Sequence, residues 1–323
     1  MYQTPETMHL NSMHLFVDNL SNVDFSYLHP ERGLLGETWM AHIQLEGELD
    51  EQGMVCDFGI VKKVLRDWLD EEIDHRLAVP LYAPNLELLE NGDTIELVWH
   101  YGSSSRGDSN NNNDNKGNNN KDNNKRRQLR CKCPRQAIAL IEAETVNIDS
   151  VSLWAKQQLA IHFPTRIEKL NLDFSTENFN TPNNAENINS KQAFYHYSHG
   201  LKKHAGNCQR IAHGHRSRIE IWQDNQRSAK LEQQWAKLWQ DIYIGSGDDI
   251  INEDDQNLYF AYTSAQGDFE LDIPKSDCYQ LNHDSTVEFI AQHIATTLKS
   301  QHPQSTIRVR AFEGIHKGAQ IEL

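Results

Sequence analysis

The pattern of apolar residues runs through this 323-residue chain twice, and a repeat of fixed order takes precedence over any local assignment. Each half opens with a strand beginning at a phenylalanine (Phe16; Phe194). Each then passes a glycine-centred step, Leu35-Gly36-Glu37 in one half and His213-Gly214-His215 in the other. A second, alternating strand follows, and then a helix. Ile60, Val61, Val64, Leu65 and Trp68 recur at helical spacing within Phe58 to Leu69, as do Leu231, Trp235, Leu238 and Trp239 within Ala229 to Ile242. A hairpin is expected where Thr94 to Tyr101 returns at Gln128 to Cys133, and again where Leu258 to Thr263 returns at Phe269 to Ile273. Each half closes with a helix (Ser150 to Ala160; Thr286 to Lys299) and a strand (Ile167 to Phe174; Thr306 to Phe312). The expected order is ββα, hairpin, αβ, stated twice.

Two polar tracts punctuate this pattern. Residues 102–127 are dominated by Asn, Ser, Asp and Lys and fall at the tip of the first hairpin, where insertions cost least. Their composition predicts a disordered insertion. A second Asn-rich tract, at 175–191, reads as a linker between a first unit at 1–174 and a second at 192–323. The net charge of -15 argues against nucleic acid or an anionic membrane as the main partner. No apolar run approaches the roughly 20 residues that span a bilayer, and the N-terminal residues lack the pattern of a signal peptide. Five scattered cysteines fit a reducing cytoplasm better than a disulfide framework.

The chemistry concentrates in the second half. Ser198-His199-Gly200-Leu201, Gly206-Asn207-Cys208 and His213-Gly214-His215 set three imidazoles and a thiol within seventeen residues. On a strand, residues i and i+2 face the same side, so His213 and His215 can grip one metal ion, with His199 arriving from a neighbouring strand. Three nitrogen ligands leave a tetrahedral position open, as in a catalytic zinc site. Cys208 reads as a nearby reactive thiol. Cys131 and Cys133 read as strand residues.

These motifs resemble the zinc and cysteine signature of the 6-pyruvoyl-tetrahydropterin and 6-carboxy-tetrahydropterin synthase family. The first half carries other segments similar to that family: Glu46-Gly47-Glu48-Leu49-Asp50 with Gly53-Met54-Val55-Cys56-Asp57-Phe58, and Ile73-Asp74-His75-Arg76-Leu77. Near the end, Ser285-Thr286-Val287-Glu288-Phe289 and Ala311-Phe312-Glu313 resemble its pterin-binding segments. The motifs divide between the halves. The zinc positions align with Ser21, Leu35 and Glu37 in the first half, which cannot bind zinc; the Asp-His segment is missing from the second, where Tyr243 to Ile250 stands in its place. The resemblance therefore implies one composite site, with metal and thiol from one half and Asp-His from the other.

By that resemblance the substrate is 7,8-dihydroneopterin triphosphate and the cofactor Zn2+, held by His199, His213 and His215. Cys208 acts as the base, Asp74 and His75 relay protons, Glu313 anchors the pterin, and Thr286 and Glu288 support its pocket. Lys202, Lys203, Arg210, Arg216 and Arg218 are candidate triphosphate ligands. The product is 6-carboxy- or 6-pyruvoyl-tetrahydropterin. A non-catalytic, zinc-stabilised pterin-binding or assembly protein is the alternative. The implied fold is α+β: two tandem tunnelling-fold units, each a four-stranded antiparallel sheet with two helices on one face. Such sheets close into barrels by homo-oligomerisation, here as a trimer or a dimer, which removes exposed edges.

Overall fold

The computed structural model describes residues 13–102, 126–179 and 192–323. The expected insertion lies almost wholly outside the described residues, as does most of the expected linker. The first half contains β1 (Met13–His29), β2 (Gly33–Gly47), α1 (Phe58–Glu72), β3 (Leu77–Pro80), β4 (Leu86–Asn91), β5 (Thr94–Tyr101), β6 (Arg127–Pro134), β7 (Ile138–Ile141), α2 (Ile148–Leu159) and β8 (Ile167–Thr176). The second contains β9 (Phe194–His199), β10 (His213–Gln223), β11 (Gln226–Arg227), α3 (Ala229–Leu238), β12 (Ile242–Ser246), β13 (Ile250–Glu253), β14 (Asn257–Ser264), β15 (Gly267–Pro274), β16 (Cys278–Leu281), α4 (Val287–Gln301), β17 (Ile307–Phe312) and β18 (Gly318–Glu322). Strand β8 runs to Thr176, past the expected unit boundary.

The helices start where side chains satisfy their first backbone N–H groups. Asp57 accepts from Gly59 and Ile60 ahead of α1, Asn147 and Ser150 form a reciprocal capping box ahead of α2, and Thr286 caps α4. The apolar stripe of α1 (Val61, Leu65, Trp68) and that of α2 (Val151, Trp154, Leu159) bury against Phe25, Trp39 and Ile43 of the first sheet. In the second half α3 and α4 cover Tyr195, Ile219 and Val309 in the same way.

The sheets differ from the expected pair of four-stranded antiparallel sheets in two respects. Each half's main sheet is mixed. Its order is β7-β3-β1-β2-β8 in the first half and β16-β12-β9-β10-β17-β18 in the second, with the short strands β3, β7, β12 and β16 added in parallel. Leu77-Ala78-Val79 and Ile138-Ala139-Leu140-Ile141 are continuous apolar runs, the signature of a parallel strand buried on both faces, and they are too short to show a period. The hairpins, moreover, do not stay with their own halves. They join in one six-stranded sheet, β13-β14-β15-β6-β5-β4, through the antiparallel pair β15–β6, where Leu271 faces Cys131. Beneath it Leu97, Trp99 and Leu129 share a core with Tyr243, Phe260 and Leu271. Cys131 and Cys133 are buried there as strand residues.

The two main sheets meet at β2 and β10 around a local two-fold. Gly36 pairs with Ser26 within the first half, and Gly214 with Ser198 within the second. The two serine hydroxyls touch across the halves at 2.7 Å. A Cβ on Gly36 would stand 1.8 Å from the Tyr197 carbonyl oxygen and 2.5 Å from the His215 nitrogen; one on Gly214 would stand 2.6 Å from the Gly36 Cα. Only glycine permits this approach. To one side lies a buried charged cluster drawn from both halves. Arg32 pairs with Asp241 across the interface, its Nε donating at 2.8 Å. Glu37 stands 3.8 Å from His196 and 3.9 Å from Arg216. Burial pushes the Glu37 carboxyl up to about 7, with Arg216 opposing, and pushes His196 down to about 4 while its Nδ1 donates to the Gly36 carbonyl at 2.9 Å.

Two outcomes follow from this interface. Gly36→Ala should destabilise the protein by about 3 kcal/mol in denaturant unfolding, because rigid backbone rather than a side-chain tip would have to move. Glu37 makes stability pH-dependent. An unfolded glutamate ionises near 4.5, so between that pH and about 7 the unfolded chain gains a charge that the native state resists, and the native state loses stability as pH rises. Unfolding of Glu37→Gln and wild type should therefore diverge by about 3 kcal/mol in the variant's favour between pH 4 and pH 8.

Candidate active site

On the other side of the Gly36–Gly214 contact, three histidines converge. His213 and His215 lie on one face of β10, and His199 ends β9 directly opposite His213. All three are at most 1 % exposed. One nitrogen from each lies within 4.8 Å of the others, and the Nε2 atoms of His199 and His215 are 3.2 Å apart.

The Nδ1 sides of these rings face acceptors. His199 Nδ1 is 3.0 Å from the Ser285 carbonyl and His213 Nδ1 is 2.9 Å from the Arg210 carbonyl. A carbonyl only accepts, so both rings carry hydrogen on Nδ1 and leave Nε2 as a lone pair. His215 Nδ1 is 3.2 Å from Asp24 Oδ1, close in distance though off the hydrogen-bond line. His213 Nε2 is buried without a hydrogen-bond partner. Burial, helped by neighbouring imidazoles, pushes His199 and His213 well below the usual histidine range, which keeps them neutral. His199 and His213 thus turn lone pairs inward, and that of His213 has no partner. A cation at their focus would satisfy them, so the donor set fits a divalent metal with nitrogen preference.

The first half supplies the groups facing this cluster. His75 sits at φ 57° just after α1, a left-handed conformation that a bulky residue rarely adopts. Its ring centroid is 5.1 Å from that of His213. Its Nδ1 is hydrogen-bonded to Asp74 Oδ2, and Asp74 Oδ1 accepts from the Asp24 backbone N–H at 2.8 Å. Cys208 lies on a short turn at Asn207–Gln209 and forms a second close group with His75 and His213. Burial opposes protonation of His75, but its hydrogen bonds to Asp74 and Cys208 outweigh it and push it up to about 10.

Of the remaining expected residues, Glu313 is at the site, its Oε1 3.8 Å from His215 Nε2. Thr286 is the cap of α4, and Glu288 is exposed in the first turn, where its charge suits the helix dipole. Among the expected cations, Arg210 reaches the site's edge and donates to the Asp74 carbonyl at 3.3 Å. Lys202 and Lys203 pair with Asp249 and Asp284. Strand alternation turns Arg216 and Arg218 away from His213 and His215. Arg216 lies over the rings of Phe179 and Phe194 and Arg218 over Phe312, and both reach Glu177.

Register corrects the comparison between the halves. His213 faces His199, and its counterpart Leu35 faces Tyr27, so Tyr27 rather than Ser21 occupies the third ligand's position. Leu77 pairs with Ser26 and Tyr243 with Ser198, which aligns Asp74-His75 with Gln240-Asp241 rather than with Tyr243 to Ile250. His75 and Asp241 share the left-handed conformation, at φ 57° and 60°. The charged cluster around Glu37 thus fills the place where a second site would stand.

Sequence reasoning misses three groups of the site, Asp24, Thr38 and Lys317, and gives Ser285 no role of its own within the Ser285–Phe289 segment. Asp24 is 3 % exposed, accepts from Thr38 Oγ1 at 2.6 Å and pairs with Lys317 Nζ at 2.8 Å. Burial works against its charge, but His215 and Lys317 prevail and hold its carboxyl well below the usual range. An acid set between Val23 and Phe25 in an apolar strand is the one available signal.

A 6-pyruvoyl tetrahydropterin synthase from Plasmodium vivax, a catalytic-residue mutant, is 18% identical, covering 51% of this chain and 91% of its own, with a TM-score of 0.36. The Plasmodium falciparum 6-pyruvoyl tetrahydropterin synthase is 15% identical with the same coverages and TM-score. No curated protein matches the chain. The sequence profile described as 6-pyruvoyl tetrahydropterin synthase matches residues 8–96 and 188–322, one segment in each half. Those segments make up more than half of the chain, which belongs to the 6-pyruvoyl tetrahydropterin synthase family.

Proposed function

We propose that this chain is a zinc-dependent lyase that converts 7,8-dihydroneopterin triphosphate to 6-carboxy-tetrahydropterin or its 6-pyruvoyl counterpart, at one site built from both halves. Membership of the family supports a lyase-type enzyme of pterin metabolism. The observation that carries the finer reading is the convergence of three buried imidazoles on Cys208 and on the Asp74-His75 pair of the other half.

His199, His213 and His215 would hold the zinc. When bound, it supplies a Lewis acid that polarises the substrate's side-chain oxygens and lowers the pKa of its hydroxyls. The Cys208 thiolate takes a proton from the side-chain carbon beside the metal site. His75, oriented and held protonated by the Asp74 carboxylate, exchanges protons with Cys208 and the substrate oxygens. Glu313 accepts from the pterin amino group and ring N–H, a fork of donors that suits a carboxylate. Thr286 and Glu288 line the approach to that ring, and Arg210 offers charge to the triphosphate.

The reading includes a homo-oligomer, trimer or dimer. The six-stranded sheet ends in the edge strands β4 and β13, where Leu89 and Ile251 are 61% and 68% exposed, and open apolar edges invite pairing. No helix among the described residues is long and apolar enough to cross a membrane. A cytoplasmic location suits the free cysteines.

The purified protein should hold about one zinc per chain, by metal analysis, through the one three-histidine set among the described residues. Cys208→Ala and His75→Ala should keep that zinc and lose at least about 100-fold in turnover. Zinc retention with no turnover in the wild type would sink the enzymatic reading and leave a pterin-binding protein.

A further inference from the structure

The residue that ties the two halves of the site together is Asp24. It lies in β1 of the first half, yet its side chain meets the second. Oδ1 stands 3.2 Å from Nδ1 of His215 and also accepts from Thr38 Oγ1 at 2.6 Å. Oδ2 receives Lys317 Nζ, from the loop between β17 and β18, at 2.8 Å. Both oxygens are thus pinned and the plane of the carboxylate is fixed. The backbone of the same residue faces the other way. Its N–H donates to Asp74 Oδ1 at 2.8 Å and its carbonyl accepts from the His75 N–H at 2.6 Å. Gly314, at φ 68°, makes room for it: a Cβ there would stand 2.4 Å from Asp24 Oδ1.

We propose that Asp24 is a positioning carboxylate that orients His215 for metal binding from across the halves, while its backbone sets Asp74 and His75 at a fixed distance from that metal. This rests on the zinc reading above. His215 Nδ1 lies 3.2 Å from Oδ1 but off the hydrogen-bond line, so a turn of the ring completes the contact; a ligand imidazole holds metal best when its other nitrogen donates to a carboxylate, and losing that partner weakens affinity by about 10- to 100-fold. Lys317 compensates the buried charge, so the carboxylate stays ionised without metal. A duplicated chain can place such a residue in one half only, because each half occupies one side of the site.

The test uses metal-free full-length protein and zinc alone, titrated against a chromophoric chelator. Asp24→Asn keeps shape and one acceptor but removes the charge; under conditions where its apo form is folded it should bind zinc about 10- to 100-fold more weakly. The cobalt-substituted form should show a shifted d–d absorption, which a purely structural residue would not move. Wild-type zinc affinity in Asp24→Asn, alongside loss of zinc in His213→Ala, overturns the proposal and leaves the site reading standing. If His213→Ala binds zinc as wild type does, the site reading fails and takes the proposal with it. Should Asp24→Asn not fold, Thr38→Val carries the test. It is isosteric and unpins Oδ1, so a several-fold weaker affinity supports the proposal and an unchanged one overturns it.

Discussion

Everything in this molecule depends on two strands approaching until their backbones touch. Gly36 and Gly214 permit β2 and β10 to meet where any side chain would collide with a carbonyl oxygen or a Cα. That contact presses β1 against β10 and sets His215 within reach of Asp24. It also delivers the loop bearing Asp74 and His75 to a cluster of histidines from the other half. The three clustered histidines and the Asp74-His75 pair belong to different units, so the geometry of the site is the geometry of this interface.

The same contact is close to symmetric in backbone and asymmetric in side chains. On one side, three imidazoles converge, and burial keeps His199 and His213 neutral. On the other, Tyr27, Leu35 and Glu37 hold the matching positions, Asp241 replaces the histidine, and Arg32 and Arg216 fill the space with charge. Buried ion pairs contribute little net stability, because desolvation offsets most of their attraction. Their effect here is to fill the positions that match the histidine cluster with paired charges. Removing one partner would leave a buried charge alone, which is expensive.

Much of this was legible in the sequence, for identifiable reasons. Helix positions followed from amphipathic spacing and from caps such as Asp57 and Asn147, and the long hairpins from alternation bounded by Pro134 and Pro274. The ligand cluster followed from the i, i+2 rule on β10. What stayed hidden was non-local. The parallel strands, four or five residues long, show no period. Which hairpin pairs with which half is decided by β15 against β6, whose residues are about equally apolar on their inner faces. Ser21 was aligned with the third ligand because motif spacing cannot register a strand with an irregularity between Val17 and Ser21. Asp24 and Lys317 are 293 residues apart, and only the folded chain brings them together.

The shared six-stranded sheet also dictates how the chain comes into being. Strand β6 is complete by Pro134, but its partner β15 begins at Gly267. During synthesis the first half therefore waits with an apolar strand edge open until the second half has emerged, a delay that favours mispairing and aggregation. The high sequence separation of that pairing makes it a slow step as well. Fusing the two units in one polypeptide keeps the missing edge at high local concentration from the moment it appears. A version divided into separate chains would have to bring β6 and β15 together by association.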